Sequence, residues 1–223
     1  RDPEMSRGLG DVYKRQVYLT AKPRTQIEHI AVDARADGTL HTDVYLKNIS
    51  KGQQLELSLI SCDSQLPIGR QVCGLSTEEK QILTTHWNNI RTWDPEHPNL
   101  YRLTMRLLST TGDVVHEITE RIGFRTIEFR PEDGVYLNGT RLLVKGINRH
   151  CFDPETGRTI SRELSLKDAL LIKQMNMNAV RSHYPPDTHF LEACDSIGLL
   201  YLNELCGWQL SLIHISEPTR HLR

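Results

Sequence analysis

The sequence predicts a multidomain β plus α/β chain, in which an immunoglobulin-like β-sandwich is followed by the first strands and helices of a parallel sheet. Three observations predict this. Over residues 17–123, short runs of alternating apolar and polar residues recur at intervals of roughly 10–20 residues, as in a sandwich. After about Phe124 the apolar spacing becomes helical in two stretches. These stretches interleave with short apolar runs in the order β, α, β, α, β, which marks parallel strands joined by crossover helices. A barrel and an open doubly wound sheet both satisfy that order.

The first run, Val17-Tyr18-Leu19-Thr20 closed by Ala21-Lys22-Pro23, reads as the last strand of an earlier domain. Next, Ile30, Val32 and Ala34 alternate up to a turn at Asp37-Gly38, and Leu40, Thr42, Val44 and Leu46 alternate down from it, which predicts a hairpin. Further strands follow in QLELSLI, in NLYRLTMRLLS, and in VVHEITERIGF after the turn Thr111-Gly112-Asp113. No Cys-Trp-Cys signature accompanies them. The stretch GVYLNGTRLLVKGIN predicts a hairpin with Asn138-Gly139 at its tip, a pair that suits the positive φ angles of a type I′ turn. Its second arm is expected to run on into Asn148-Arg149-His150. In SRELSLKDALLIKQMNMN, Leu166, Ala169, Leu170, Ile172 and Met175 recur at helical spacing, with Ser165 as the expected N-cap. A strand AVRSHY, a helix around HFLEACDSIG and a strand LLYLNEL complete the series.

Composition narrows the class. A chain of 223 residues, 38% hydrophobic and 25% charged, can form one large or two ordinary packed domains. Its formal net charge is −1 with no long block of either sign, which gives no reason to expect nucleic acid or an anionic membrane as partner. No apolar run approaches the roughly 18 residues of a membrane span. The five cysteines, at positions 62, 73, 151, 194 and 206, form no CxxC pair, which argues against a disulfide framework and a zinc knuckle.

The two ends look foreign. Residues 6–16, SRGLGDVYKRQ, can be back-translated so that the reverse complement encodes LSLIHISEPTR, which is residues 210–220. An inverted match of that length is not expected by chance, and the DNA resembles the transposon-end adapter of sequencing libraries. Residues 1–16 and 210–223 are therefore expected to be non-native, flanking a truncated gene fragment. The expected division is then 17–23 as the end of an earlier domain, 24–123 as the sandwich and 124–209 as the parallel α/β part.

In a parallel sheet the strand bodies are buried and their carboxyl ends face the crevice where ligands bind. Three strands here end in polar groups: Asn148-Arg149-His150, Arg181-Ser182-His183-Tyr184 and Asn203-Glu204. Three such ends on one side make a site. A nucleotide-binding α/β protein is disfavoured because the loop CFDPETGRT after His150 lacks a G-x-G-x-x-G turn. A non-catalytic carbohydrate-binding sandwich gives no reason for the helical half.

Taken together, NRH at 148–150, NAVRSHYP at 178–185 and DSIGLLYLNE at 195–204 resemble glycoside hydrolase family 2, the family of β-galactosidases, β-glucuronidases and β-mannosidases. WDPEHPNLYRLTMRL at 93–107 and ERIGFRTIEF at 120–129 are similar to that family's passage from an immunoglobulin-like domain into a TIM (β/α)8 barrel, and residues 17–19 resemble the end of its N-terminal jelly-roll sugar-binding domain. The resemblance implies a retaining two-glutamate hydrolysis of O-glycosidic bonds, of β-galactosidase type, with a β-glucuronidase or β-mannosidase as the alternative. It implies that His150 and His183 bind sugar hydroxyls. Arg181 would stand beside the nucleophilic carboxylate and keep it ionised, and Glu204 would be a supporting or substrate-side carboxylate. Asn148 and Arg149 would support the loop. The expected partner is a carbohydrate β-glycoside, with a homo-oligomer admitted for the full-length enzyme.

The sequence departs from the family in three places. Many relatives read R-x-S-H-Y-P, whereas Arg181-Ser182-His183 lacks the intervening residue. One residue fewer on a strand flips the side of the next side chain. Cys151 stands where galactosidase-like members usually have Glu. No Glu-x-His pair follows the third strand before the foreign end begins, so no metal and no cofactor are expected. Asn203-Glu204 has the letters of the family's acid/base pair but follows the third strand rather than the fourth, and is rejected as such. Both catalytic glutamates would then lie outside the chain, which is expected to be inactive alone.

Overall fold

The computed structural model describes residues 21–203. Seven antiparallel strands form two sheets: β1 (Gln26–Ala34), β2 (Thr39–Lys47) and β5 (Lys80–His86) in the order β1-β2-β5, and β3 (Gln54–Ser61), β4 (Pro67–Gly74), β6 (Tyr101–Leu108) and β7 (Val114–Ile122) in the order β4-β3-β6-β7. This is the immunoglobulin-like sandwich that the alternation predicts. Leu40, Val44 and Leu46 from one sheet meet Leu55, Leu57, Leu59, Leu103, Met105 and Leu107 from the other in a single buried core. The period of two puts every second residue inside.

Strands β4 and β5 carry no clear alternation, and sequence reasoning passed over them. Each pairs with one neighbour only and lies at a sheet edge. An edge strand buries less, so fewer of its residues need to be apolar. On β3 a charge breaks the pattern instead: Glu56 is buried beneath Arg70 and Arg106, with the Arg106 Nη1 3.3 Å from its Oε1. At the open side of the sandwich His116 Nδ1 accepts the Ile27 N–H at 3.2 Å, beside a bulge in β1.

A three-stranded meander follows, β8 (Ile127–Arg130), β9 (Gly134–Leu137) and β10 (Thr140–Leu142), with Asn138 and Gly139 both at positive φ (51° and 79°) in the β9–β10 turn. The second arm of that hairpin does not continue to residue 150 as expected. It ends at Leu142, and β11 (Gly146–Arg149) belongs to a different sheet. Asn178 makes the break possible, accepting the Lys145 N–H at 2.8 Å and donating to the Leu143 carbonyl at 2.9 Å.

The remaining elements are α1 (Arg162–Gln174), β12 (Ala179–Ser182), α2 (Thr188–Ile197) and β13 (Leu200–Asn203). Strands β11, β12 and β13 are parallel and adjacent in that order, with Asn148 opposite Arg181 and Arg149 opposite Ser182. The N-cap of α1 is Ser161, not Ser165: Ser161 has extended backbone and its Oγ accepts the Leu164 N–H at 3.1 Å, whereas Ser165 is buried inside the helix. Helix α2 ends at Gly198 in the left-handed region, as the Gly-terminated sequence suggests.

Trp93 joins the two parts. Its N–H donates to the Phe124 carbonyl at 2.8 Å, its indole Nε1–H to the Asp195 carbonyl at 2.8 Å, and its own carbonyl accepts from Asn138 Nδ2 at 3.0 Å. Its buried ring packs with Leu100, Leu137, Ala179 and Leu200. A side chain at Gly198 would place its Cβ 2.2 Å from the Pro95 carbonyl oxygen, so the sandwich loop and the end of α2 touch backbone to backbone.

Two predictions follow from these contacts. Gly198→Ala should destabilise the chain by about 1–3 kcal/mol through its positive φ alone, with the Pro95 overlap adding to this; an unchanged urea midpoint would contradict the contact. Burial holds the His116 pKa below the ordinary histidine value of 6.5, so the fold prefers the neutral ring. Its contribution is present above that value and lost as pH falls towards the lower, folded one. Urea midpoints should therefore fall between neutral and acid pH by less in His116→Gln than in the parent.

Candidate functional site

The carboxyl ends of β11 and β12 carry the predicted groups to one rim. The His150 and His183 ring centres lie 6.0 Å apart, and the Tyr184 ring sits edge-on to both, at 6.0 Å from His150 and 4.7 Å from His183. Ser182 closes the end of β12 by donating to the Tyr184 carbonyl at 2.8 Å. Strand alternation decides what faces which way. Arg181 and Asn148 share the open face of the sheet, where Arg181 Nη1 donates to Asn148 Oδ1 at 3.1 Å. Arg181, His183 and Tyr184 each make further contacts beyond these. Asn203 ends β13 at the same edge of the sheet. Glu204, the fourth expected site residue, lies outside the described residues, as do 1–16 and 210–223.

On the opposite face the sheet is covered by α1 and α2 through Val180, Ala169, Ile172, Phe190 and Cys194. Arg149 enters this layer and is only 7% exposed. Its Nε and Nη2 donate to Asp168 Oδ2 at 2.9 and 2.7 Å, its Nη1 lies 3.1 Å from the Cys151 sulfur, and its guanidinium stacks 4.0 Å from the Phe190 ring centre. The Cys151 side chain is buried there, so the position that departs from the family adds no polar group to the rim. Burial pushes the Cys194 thiol up to about 12, which leaves it protonated and inert as a nucleophile.

The loop between β11 and α1 spends its polar groups on itself. Asp153 Oδ1 accepts the N–H groups of Glu155 and Thr156, and Asp153 and Gly157 exchange backbone hydrogen bonds at 2.6 and 2.9 Å. The loop presents Arg158 with its guanidinium 5.0 Å from the Tyr184 ring centre. Sequence reasoning did not single out Arg158, because a lone arginine in a polar loop carries no spacing signal. Among the described residues no group of three or more His, Cys, Asp or Glu could hold a metal, and no helix is long and apolar enough to cross a membrane.

A sandwich leading into parallel β/α units is the arrangement that the sequence comparisons also find. Residues 24–125 match Glycosyl hydrolases family 2, and residues 129–217 match the TIM barrel domain of the same family. The chain belongs to glycoside hydrolase family 2. It is 36% identical over 203 residues to the β-galactosidase BgaC of Bifidobacterium adolescentis, covering 85% of this chain and 19% of that protein. It is 33% identical over 197 residues to a putative β-glucuronidase of Formosa agariphila, covering 86% of this chain and 24% of that one. Among solved structures, a family 2 member from Bacteroides cellulosilyticus superposes with a TM-score of 0.71 at 26% identity, over 82% of this chain and 25% of its own. The β-glucuronidase 3 of Bacteroides uniformis gives 0.72 at 26% identity, over 85% and 24%. The chain thus spans about a fifth to a quarter of the length of these two curated relatives. The parallel segment is the start of a TIM barrel, which settles the choice between a barrel and an open sheet.

The two faces of the rim respond differently to substitution. Asp168→Ala leaves a buried guanidinium without its counter-charge and should cost about 3–5 kcal/mol. The exposed ring of His150 can be removed for about 0.5 kcal/mol or less. Urea unfolding of the two variants followed by helix signal measures the difference; equal losses would contradict the assignment of faces.

Proposed function

We propose that the protein containing this chain is a retaining β-glycosidase of β-galactosidase type, and that this segment supplies the sugar-facing ends of its first three barrel strands without either catalytic glutamate. The observation that carries the reading is the pair of imidazoles, His150 and His183, facing each other at 6.0 Å on one rim of adjacent parallel strands. Imidazole N–H groups at that spacing can donate to neighbouring hydroxyls of one pyranose, and such bonds strengthen as charge develops at the anomeric carbon. Arg181, on the open face, would keep a nearby nucleophilic carboxylate ionised by lowering its pKa. Glu204 is assigned a supporting role at the third strand end.

Retaining hydrolysis needs two carboxyl groups about 5–5.5 Å apart, one as nucleophile and one as acid/base. Both would come from later strands, so residues 17–209 alone bind or position without turning over. A β-glucuronidase is the second reading, supported by the relative of that name in Formosa agariphila.

A panel of chromogenic β-galactosides, β-glucuronides and β-mannosides tests both readings. The intact enzyme should hydrolyse the galactoside best and the isolated chain none. His150→Ala and His183→Ala should each lower kcat/KM by about 10–100-fold, the equivalent of one hydrogen bond to a charged centre. Turnover by the isolated chain, or full activity in both variants, would refute the proposal.

A further inference from the structure

We infer that Arg149 is a positioning residue for His150, and that the Arg149–Asp168 pair sets the orientation of the imidazole from the far side of the sheet. The inference rests on the glycosidase reading for its purpose, though not for its geometry. The argument is one of alternation. The alternation of β11 carries past its end at Arg149: side chains 149 and 151 meet on one side, and 150 meets His183 and Tyr184 at the rim. Both neighbours of His150 are fixed in the helix layer: Arg149 and Cys151 are buried there, with the Cys151 sulfur 3.1 Å from Arg149 Nη1. With both flanks held, the backbone at 150 can turn its side chain only towards the open face, where Asn148 and Arg181 already lie.

The guanidinium is suited to this task because it is held in plane and in rotation. Two of its N–H groups reach Asp168 on α1, a third meets the Cys151 sulfur, and the Phe190 ring on α2 covers it at 4.0 Å. A lysine could keep the charge but not the fork, since an ammonium carries no fixed plane. Asp168 is the carboxylate that compensates the buried charge, so removing its charge should release the same constraint. Both helices thereby act on a ring that meets His183 and Tyr184 at the strand ends.

The test separates positioning from mere stability. In the full chain, the rate at which diethyl pyrocarbonate modifies each histidine is read by mass spectrometry, with amide exchange of α1 read in parallel. Arg149→Lys, which keeps the charge paired with Asp168, should change the His150 rate several-fold, leave His29, His41 and His86 in the sandwich unchanged, and retain exchange protection in α1; Asp168→Asn should change the His150 rate in the same direction. An unchanged His150 rate in both variants would overturn the inference. So would a change that comes only with loss of α1 protection, since that is a folding defect. In the intact enzyme, Arg149→Lys should lower kcat/KM about tenfold in the parent and not at all in His150→Ala, because a positioning residue has nothing left to position. Additive losses would overturn the inference. If the enzyme hydrolyses no β-glycoside while the footprint behaves as expected, the glycosidase reading fails and the positioning stands.

Discussion

The chain depends on one indole. Trp93 sits in a loop of the sandwich, yet its hydrogen bonds run to the end of β7, to the β9–β10 turn and to the end of α2. Its ring is the centre of a small core whose other members come from the sandwich, the meander and the parallel strands. A buried indole N–H needs a partner, and here the partner is a helix-end carbonyl that would otherwise lack one. A single residue thus meets three polar groups and apolar side chains from all three parts.

From that anchor, alternation does the rest. Successive residues of β11 and β12 divide between an open face and a helix-covered face, and the division separates chemistry from support without a separate device for either. Polar side chains on the open face meet at the strand ends. Those on the covered face, Arg149 and Ser182, are buried and tied to helices or turns. Carboxyl ends of parallel strands suit a site for this reason: rigid strand bodies deliver side chains whose neighbours are already fixed.

Much of this was legible in the residues. Strands β1, β2, β3, β6 and β7 read clearly because apolar residues recur along them at alternate positions or in dense runs. Strands β4 and β5 did not, since their half-solvated positions carry Gly, Arg and Gln. The order of parallel strands and helices was legible from the change of period, and the rim histidines from their place at the ends of apolar runs. Ser165 misled because serines stand at both 161 and 165, and which one caps depends on where the backbone leaves the extended region. Burial of Arg149 was not legible at all: its partner Asp168 lies 19 positions away, and only the crossover geometry brings them together. The family resemblance, not periodicity, decided between barrel and open sheet.

Asn138 links turn chemistry to the joint between the two parts. Its amide donates to the Trp93 carbonyl while its oxygen accepts the Thr126 N–H at 2.9 Å, so both ends of the carboxamide are engaged and its rotation is restrained. An Asn-Gly dipeptide left free closes readily to a succinimide and loses ammonia. The joint therefore shields this dipeptide from spontaneous ageing, and a molecule whose joint has opened would carry a chemical record of the event as isoaspartate.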